Sequence, residues 1–427
     1  MKVLIVGGGG REHAIALKIK ENPEVTALYA APGNGGIAQI ATCLPFKATD
    51  VDGIVRWAAE NKVDFVIVAP DDPLCLGMVD ALAEQGIPAF GPRKNAAIIE
   101  GSKVFSKNLM KKYGIPTAAY ETFDDYDAAV KHLQTADMPI VVKADGLALG
   151  KGVLICPDRE SAVEAVASMM KEAKFGASGA RVVIEEFLTG PEVSVLAFMD
   201  GKTVKPMVSS MDHKRALDHD EGLNTGGMGT IAPNPCYTPE LAQRCMDEIF
   251  LPTIAAMNAE GRTFTGCLYF GLMMTPKGPK VIEYNCRFGD PETQVVLPLL
   301  KSDLLTIMRA TVDGTLADTP VEFASGAACC VVLASGGYPV SYKSGYPISG
   351  LDEAGKTATV FHAGTKLIDG QIVTAGGRVL GVTATADTLE AAIDKAYQAA
   401  DKITFTDMHM RRDIGQRALA SRKESHS

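Results

Sequence analysis

The sequence has none of the features that mark a protein held together by disulfides or by bound zinc. Its nine cysteines are scattered, and no two of them have the C-x-x-C spacing that metal sites and redox motifs favour. We therefore expect reduced thiols. The adjacent pair Cys329 and Cys330 lies in an apolar run, residues 327–334, where we expect both to pack on opposite faces of a strand.

The sequence also lacks an excess of positive charge. Lysine and arginine together number 42 against 51 acidic residues, which gives a formal net charge of −9. A protein with this charge is not expected to bind nucleic acid or anionic membranes through its overall field. Any phosphate-bearing ligand must be held by a local cluster of basic side chains and backbone amides.

Long apolar runs are missing as well. The apolar part of the opening MKVLIVGGGG is too short for a signal peptide, and no later run approaches a membrane span in length. We therefore expect a cytoplasmic protein with no membrane partner.

Glycine, in contrast, is abundant, with 42 residues in a chain of 427. The length predicts several domains, and the glycine content favours an α/β architecture over a helical bundle. In the first hundred residues, strands and helices alternate as in an open parallel sheet. We expect four units, the last of them small and β-rich, at residues 1–102, 103–192, 193–326 and 327–427.

Four glycines at residues 7–10 separate the first predicted strand from the first helix. Backbone amides at such a turn can approach a phosphate, but a purely structural tight turn explains the glycines equally well. A dinucleotide-binding fingerprint would need a third glycine where Glu12 or His13 stands, and the second strand ends without a carboxylate. Both observations weigh against a nicotinamide-binding protein.

A second glycine-rich segment, DGLALGKG at residues 145–152, differs from a Walker loop. It is one residue short between its glycines, and Gly152 stands where Ser or Thr would bind magnesium. We interpret it as the tip of an antiparallel hairpin that closes over a triphosphate, with Lys143 at its base. The alternative is an exposed β-turn. Helices are also predicted at residues 103–113, 292–311 and 389–400.

Charged and amide side chains cluster near the end of a predicted strand. Glu283, Asn285 and Arg287 would lie on one face because side chains alternate along a strand. Carboxylate and amide oxygens are ligands that magnesium accepts together with substrate phosphates. A guanidinium suits a carboxylate or a transferring phosphoryl group. The alternative is a solvated polar strand face.

Two further polar clusters are Asp212-His213-Lys214-Arg215 and the glycine loop NTGGMG at residues 224–229. We expect the loop to offer several free amides to an anionic substrate. His213 is expected to be a hydrogen-bonding or exposed residue, not a base.

These segments together resemble the ATP-grasp superfamily and, within it, the family of phosphoribosylamine–glycine ligases. The motifs that carry the resemblance span nearly the whole chain. They are GGGGREHA at residues 7–14, GSK at 101–103, VKADGLALGKGV at 142–153, DHKR at 212–215, NTGGMG at 224–229, NCRFGDPE at 285–292, ASGGYP at 334–339, FHAGT at 361–365 and GGRVL at 376–380. The chain departs from the family pattern at Asp71, Met211 and Leu223.

The resemblance implies an ATP-grasp fold and a role for each candidate residue. It implies that ATP is bound by Lys103, Lys143, Gly150, Lys151, Glu185, Phe187, Leu188 and Glu192. The lysines would contact phosphates, the backbone of residues 185–188 would bind adenine, and Glu192 would hold the ribose. It implies that the substrates lie against Gly8, Gly9, Asp71, Asn224, Thr225, Gly226, Gly227 and Asp290, with Arg287, Lys214 and Asp212 acting in the reaction. Magnesium, or manganese in its place, would be held by Glu283 and Asn285.

The implied reaction is the ATP-dependent ligation of glycine to 5-phosphoribosylamine through a glycyl phosphate, a step of purine biosynthesis. The alternative within the superfamily is a carboxylate–amine ligase that uses another acid. From a different class, the alternative is a nucleotide-sensing or NAD-binding protein. We expect small-molecule partners and a monomer or weak homo-oligomer.

Overall fold

The computed structural model describes residues 1–147, 152–172 and 174–424. Gly150 and Lys151, both predicted to contact ATP, lie outside these described residues. Within them, no helix is long and apolar enough to cross a membrane.

The amino-terminal part is an open parallel sheet, as predicted. Its strands are β1 (Lys2–Gly7), β2 (Ala27–Pro32), β3 (Thr42–Cys43), β4 (Phe65–Val68) and β5 (Ala89–Phe90), in the order β3-β2-β1-β4-β5. The helices are α1 (Gly10–Lys20), α2 (Val51–Glu60), α3 (Asp71–Cys75), α4 (Met78–Glu84) and α5 (Lys94–Gly101), and α6 (Lys103–Tyr113) leads out of this part. Residues 3–6 of β1 are fully buried, because helices cover both faces of a parallel sheet.

The next part is a small antiparallel sheet. It contains β6 (Tyr120–Phe123), β7 (Ile140–Ala144), β8 (Val153–Cys156) and β9 (Val182–Glu186) in the order β6-β9-β7-β8, with helices α7 (Tyr126–Leu133) and α8 (Arg159–Met170). The predicted hairpin is confirmed, since β7 and β8 pair antiparallel from Ile140–Cys156 to Lys143–Val153. Asp125 and Asp158 cap the two helices through their side chains, a contact that contributes about 1 kcal/mol each.

A larger antiparallel sheet carries the metal candidates. Its strands are β10 (Glu192–Asp200), β11 (Val204–Pro206), β16 (Thr265–Thr275) and β17 (Gly278–Asn285) in the order β11-β10-β16-β17. Helices α9 (Pro239–Cys245) and α10 (Leu251–Ala259) are joined by a π-helical turn, and α11 (Thr293–Val296) precedes α12 (Leu304–Asp313). The single helix predicted at residues 292–311 is therefore wrong. Leu300 is extended, and Asp303 caps a new helix.

The last part is a sheet with the order β12-β15-β18-β22-β19. Its strands are β12 (Met211–Asp212), β15 (Gly229–Ala232), β18 (Ala327–Ser335), β19 (Thr359–His362) and β22 (Arg378–Ala386), and β23 (Met408–His409) pairs with β18. Separate hairpins are β13 (Arg215–Leu217) with β14 (Glu221–Asn224), and β20 (Thr365–Ile368) with β21 (Gln371–Thr374). Helices are α13 (Leu351–Gly355), α14 (Leu389–Ala400) and α15 (Gln416–Glu424). Cys329 and Cys330 are fully buried in β18, which confirms their packing role.

Shared hydrophobic clusters fix these sheets relative to one another. Val6 and Val68 of the first sheet belong to the same cluster as Val195 and Phe270 of the larger sheet. A second cluster joins Ile15 of α1, the region around Leu300 and Phe361 of β19. The turn that follows β17 is thereby held between the amino-terminal and carboxyl-terminal sheets.

Candidate active site

Lys103 and Lys143, both predicted to contact phosphates, lie near the start of the glycine-rich segment that follows β7. Lys103 is the first residue of α6, and its Nζ donates to the backbone oxygen of Gly146 at 3.0 Å. The amide of Val104 donates to Asp145 Oδ1 at 2.9 Å, so the start of α6 is tied to the start of the glycine-rich segment. Burial lowers the pKa of Lys103, as expected for a desolvated ammonium.

Lys143 belongs to a buried network of alternating positive and negative side chains. The carboxylate of Glu185, on β9, forms ion pairs with Lys143 on β7 and with Lys107 on α6, the latter at 2.5 Å. Burial alone would raise the pKa of Glu185, but the two lysines outweigh it and hold that pKa below its usual range. Lys107 Nζ also donates to Thr117 Oγ1 at 2.7 Å. We call Lys103, Lys107, Lys143 and Glu185 the nucleotide end.

Lys107 was not among the site residues predicted from the sequence. Burial lowers its pKa to about 8 although Glu185 acts in the opposite direction. The signal that could have found it is its position one helical turn after Lys103, since residues four apart share a helix face. In the predicted hinge, Phe187 is exposed and Leu188 half-buried just after β9.

Lys214 joins two carboxylates from different strands of the larger sheet. Its Nζ lies 3.7 Å from Glu192 Oε2 at the start of β10 and 3.7 Å from Glu283 Oε1 on β17. Burial would raise the pKa of Glu283, but Lys214, Lys143 and Lys103 outweigh it and lower that pKa. Glu283 is therefore anionic at neutral pH.

The carboxylate of Glu283 and the amide oxygen of Asn285 fit a magnesium ion shared with phosphates. Gly271 on β16 stands opposite Glu283 and supplies no side-chain ligand. In the described part of the chain, no group of three or more His, Cys, Asp or Glu side chains is arranged to hold a metal. Such a sparse set suits magnesium, which keeps water and phosphate ligands.

Arg287 is held in place by a carboxylate that the sequence did not reveal. Glu100, at the end of α5, accepts from Arg287 Nη2 at 3.0 Å and from the Cys286 amide at 2.7 Å. Arg287 Nη2 also lies 3.2 Å from Asn285 Oδ1. The buried Nε of Arg287 has no partner within the described residues, while the side chain as a whole is 19% exposed. The negative charge of Asp71, the first residue of α3, acts on both Arg287 and Glu100.

The amino-terminal glycines meet the turn that follows β17. A Cβ on Gly9 would lie 3.1 Å from Asp290 Oδ2, and the Arg11 amide donates to the same oxygen at 3.3 Å. Gly8 accepts from Asn34 Nδ2 at 3.0 Å. A side chain at position 9 would crowd this carboxylate, and glycine avoids that contact.

The amides of the loop between β14 and β15 donate to other groups of the protein, so the prediction that it offers several free amides is wrong for these residues. The Thr225 amide donates to the Lys214 carbonyl at 2.7 Å and the Gly227 amide to Thr225 Oγ1 at 2.9 Å. The Gly226 amide donates to the Tyr338 hydroxyl at 3.1 Å. Asn224, the last residue of β14, is half-buried. Compact loops of this kind satisfy their own backbone before any ligand arrives.

Asp212 and Asp290 lie on either side of this loop. A Cβ on Gly227 would lie 2.6 Å from Asp212 Oδ1. Burial, together with the negative charge of Glu292, raises the pKa of Asp212 well above its usual range. Arg378 of β22 donates to the backbone oxygens of Gly226 and Asp290, each at 2.8 Å. We give the name substrate end to Gly8 and Gly9, the loop between β14 and β15, Arg287, Asp290 and Asp212.

His213 is buried and hydrogen-bonded, which agrees with the sequence-based expectation of a hydrogen-bonding residue. Its Nε2 accepts from the Gly415 amide at 3.1 Å, so Nδ1 carries the proton and faces the Gly229 carbonyl at 3.1 Å. Burial and the nearby charge of Arg411 lower the pKa of His213 to about 4. The ring is therefore neutral throughout the physiological range.

Three family models match the chain in sequence order. They are the N domain of phosphoribosylglycinamide synthetase at residues 1–100, its ATP-grasp (A) domain at residues 101–293 and its C domain at residues 328–417.

Similar proteins align over nearly the full length. The phosphoribosylamine–glycine ligase of Halalkalibacterium halodurans is 48% identical over 100% of this chain and 99% of its own. That of Allochromatium vinosum is 49% identical over 98% and 99%.

Solved structures agree with this match. The crystal structure of phosphoribosylamine–glycine ligase from Thermotoga maritima has a TM-score of 0.86 and 35% identity over 97% of this chain and 100% of its own. The biotin carboxylase domain of 2-oxoglutarate carboxylase from Hydrogenobacter thermophilus, at 18% identity and a TM-score of 0.72 over 96% of this chain and 91% of its own, shares the fold. The chain has the ATP-grasp fold and belongs to the phosphoribosylglycinamide synthetase family.

Proposed function

We propose that the chain ligates glycine to 5-phosphoribosylamine, with ATP converted to ADP and phosphate and glycyl phosphate as the intermediate. The observation that supports this most directly is the position of Lys214 between Glu192 and Glu283, at 3.7 Å from each. One ammonium thus neighbours both the carboxylate assigned to the ribose and the carboxylate assigned to the metal. Phosphoryl transfer depends on this kind of convergent charge.

At the nucleotide end we assign the phosphates of ATP to Lys103 and Lys143, with Gly150 and Lys151 completing the contacts. The backbone of Glu185, Phe187 and Leu188 would bind the adenine, and Glu192 the ribose hydroxyls. The ion pairs of Glu185 support this assignment, because they fix Lys143 before ATP arrives. A lysine whose position is already fixed loses less conformational entropy on binding.

We place the metal site between the nucleotide end and the substrate end. We assign magnesium, in preference to manganese, to Glu283 and Asn285, because oxygen ligands and shared phosphates suit magnesium. When bound, the ion neutralises charge on the β- and γ-phosphates.

Arg287, whose side chain is 19% exposed, would hold the glycine carboxylate. An oxygen of that carboxylate attacks the γ-phosphorus, and the bond to the bridging β–γ oxygen breaks to release ADP. Lys103, Lys143 and Lys214 offset the charge that develops in this step. The protein supplies orientation and electrostatics, so no general base is assigned.

The amine substrate would lie at the substrate end, against the backbone and side chains that surround Asp290. We assign its contacts to Gly8, Gly9, Asp71, Asn224, Thr225, Gly226, Gly227 and Asp290. Its nitrogen attacks the carbonyl carbon of glycyl phosphate, phosphate leaves, and the amine loses a proton. Lys214 and Asp212 border this position, and burial together with the charge of Glu292 raises the pKa of Asp212.

Oxygen-18 transfer tests the proposal. Glycine labelled in its carboxylate should pass one labelled oxygen to the released phosphate, because that oxygen attacks phosphorus. The matched control replaces labelled glycine by labelled water, which should leave the phosphate unlabelled. AMP among the products, or unlabelled phosphate from labelled glycine, would overturn the mechanism.

A further inference from the structure

We propose that residues 408–415 of the carboxyl-terminal part position Lys214 for the reaction by holding the His213 side chain before it and the main chain of Arg215 and Ala216 after it. The proposal rests on the reactive role that the proposed function gives to Lys214. It concerns residues far from the substrates that act through this lysine.

Three successive contacts run from this segment to the segment around Lys214. The Gly415 amide donates to His213 Nε2 at 3.1 Å, Arg411 Nη1 donates to the Arg215 carbonyl at 3.1 Å, and His409 Nε2 lies 2.7 Å from the Ala216 carbonyl. The two segments therefore run in opposite directions. Lys214 stands between His213 and Arg215, both of which are held.

Arg411 is the strongest of these attachments. Its side chain is 1% exposed and forms ion pairs with Asp413 at 2.8 Å and with Asp220 of the β13–β14 connection at 3.1 Å. A buried guanidinium with several charged acceptors resists displacement, since breaking such a network leaves charges unpaired. Asp413 in turn accepts from the His219 amide at 2.9 Å.

The hairpin that follows Lys214 needs this support. Strands β13 and β14 form a two-stranded sheet of their own, with an irregular register between Arg215 and Leu217. A hairpin of two strands alone is marginally stable in water. Since Lys214 must keep its ammonium between Glu192 and Glu283, movement of this hairpin would displace the charge from the site.

The test compares two arginines that share one partner. Arg411→Gln removes the contacts to Asp413, to Asp220 and to the Arg215 carbonyl. Among the described residues, Arg417→Gln removes only a contact to Asp220, at 2.8 Å. We expect Arg411→Gln to lower kcat by about thirtyfold, because small misplacements of reactive groups are costly. ATP affinity, measured by calorimetry, should change by less than about threefold. Arg417→Gln should keep kcat within about twofold of wild type.

A double-mutant cycle with Lys214→Met separates positioning from general stability. If Arg411 acts through Lys214, Arg411→Gln should lower kcat by less than about twofold in the Lys214→Met background. Additive losses would overturn the proposal, as would equal losses in the Arg411→Gln and Arg417→Gln variants.

Two milder variants keep the test decisive if Arg411→Gln does not fold. Arg411→Lys keeps the charge and should retain more kcat than Arg411→Gln. His409→Leu removes only the contact to the Ala216 carbonyl and should lower kcat by about threefold, with a loss that again disappears in the Lys214→Met background. A His409→Leu loss that persists in that background would contradict the proposal.

Discussion

The two ends of the site are held by different kinds of contact. At the nucleotide end, charged side chains face charged side chains, as Lys107 and Lys143 do with Glu185. At the substrate end, one ion pair joins Arg287 to Glu100, and further side chains hold the backbone of loops, as Arg378 holds the carbonyls of Gly226 and Asp290. The nucleotide end is therefore organised mainly by ion pairs between side chains, whereas the substrate end also depends on side chains that fix the shape of its loops.

The sequence separation of these contacts differs as well. Lys103 and Gly146 are 43 positions apart, and Lys107 and Glu185 belong to the same stretch of chain that forms the small antiparallel sheet and its leading helix. Arg11 and Phe288, in contrast, are 277 positions apart and His213 and Gly415 are 202 apart. The substrate end therefore exists only after the amino- and carboxyl-terminal sheets have assembled around it.

The largest expected effect comes from the residue that serves both ends. Glu283→Gln keeps the side-chain volume but removes the charge of a metal ligand, so turnover should fall by at least about a hundredfold, near 3 kcal/mol. The measurement is kcat against magnesium concentration. Normal turnover at limiting magnesium would remove Glu283 from the metal site.

A substitution confined to the substrate end should separate glycine from ATP. Arg287→Lys keeps the charge but loses the fork of donors that Glu100 and Asn285 orient. We expect kcat/KM for glycine to fall by about thirtyfold, near 2 kcal/mol, with the KM for ATP within about twofold of wild type. Equal losses for both substrates would contradict the assignment of Arg287.

A substitution confined to the nucleotide end should have the opposite selectivity. Lys107→Met removes one of the two lysines that pair with Glu185, so this carboxylate and the Lys143 that it positions would be held less firmly. We expect the KM for ATP to rise about tenfold, near 1.4 kcal/mol, while the KM for glycine is unchanged. The matched control is Lys111→Met, one turn further along α6 and exposed, whose KM values should both match wild type.

The smallest effect concerns stability in acid. His213, next to Asp212 of the substrate end, contributes to it as a buried neutral histidine. The pKa of His213 is lowered from 6.5 to about 4, so the folded state binds a proton less readily than the unfolded state. Its contribution to the free energy of unfolding is present above pH 6.5 and is lost as the pH falls towards 4. His213→Gln should reduce the stability lost between pH 6 and pH 5 by about 1 kcal/mol.

Denaturant unfolding at the two pH values measures this difference. His13 and His362, with pKa values lowered by burial to about 3 and about 4, remain in both proteins and provide the background. If the His213→Gln variant loses as much stability as the wild type between these pH values, the neutral, buried state of His213 is contradicted.

Local patterns predicted much of the fold. The helix at Lys103–Tyr113 and the helix at Leu389–Ala400 have the bounds that apolar spacing indicated. The long helix predicted at residues 292–311 was wrong because apolar spacing continues across Pro298 and Asp303, where the backbone breaks and a new cap begins.

The site was less accessible to sequence reasoning. Motifs identified Glu283, Asn285 and Arg287 because these residues are neighbours in one strand and its following turn. Glu100, Arg378 and Arg411 were missed because each acts on a segment far away in the sequence. A glycine loop such as NTGGMG also predicts available amides, whereas hydroxyls and carbonyls that fold against it use them first.

The sheet ordered β12-β15-β18-β22-β19 limits where the chain can be divided into fragments for separate expression. Its first two strands, Met211–Asp212 and Gly229–Ala232, precede the boundary predicted at residue 326, and β15 pairs with β18 from Gly229–Val331 to Ala232–Ala328. A fragment that begins at residue 327 would expose the edge of β18 to other chains, and open strand edges promote aggregation. Fragments intended for separate expression should therefore keep residues 211–232 with the carboxyl-terminal strands.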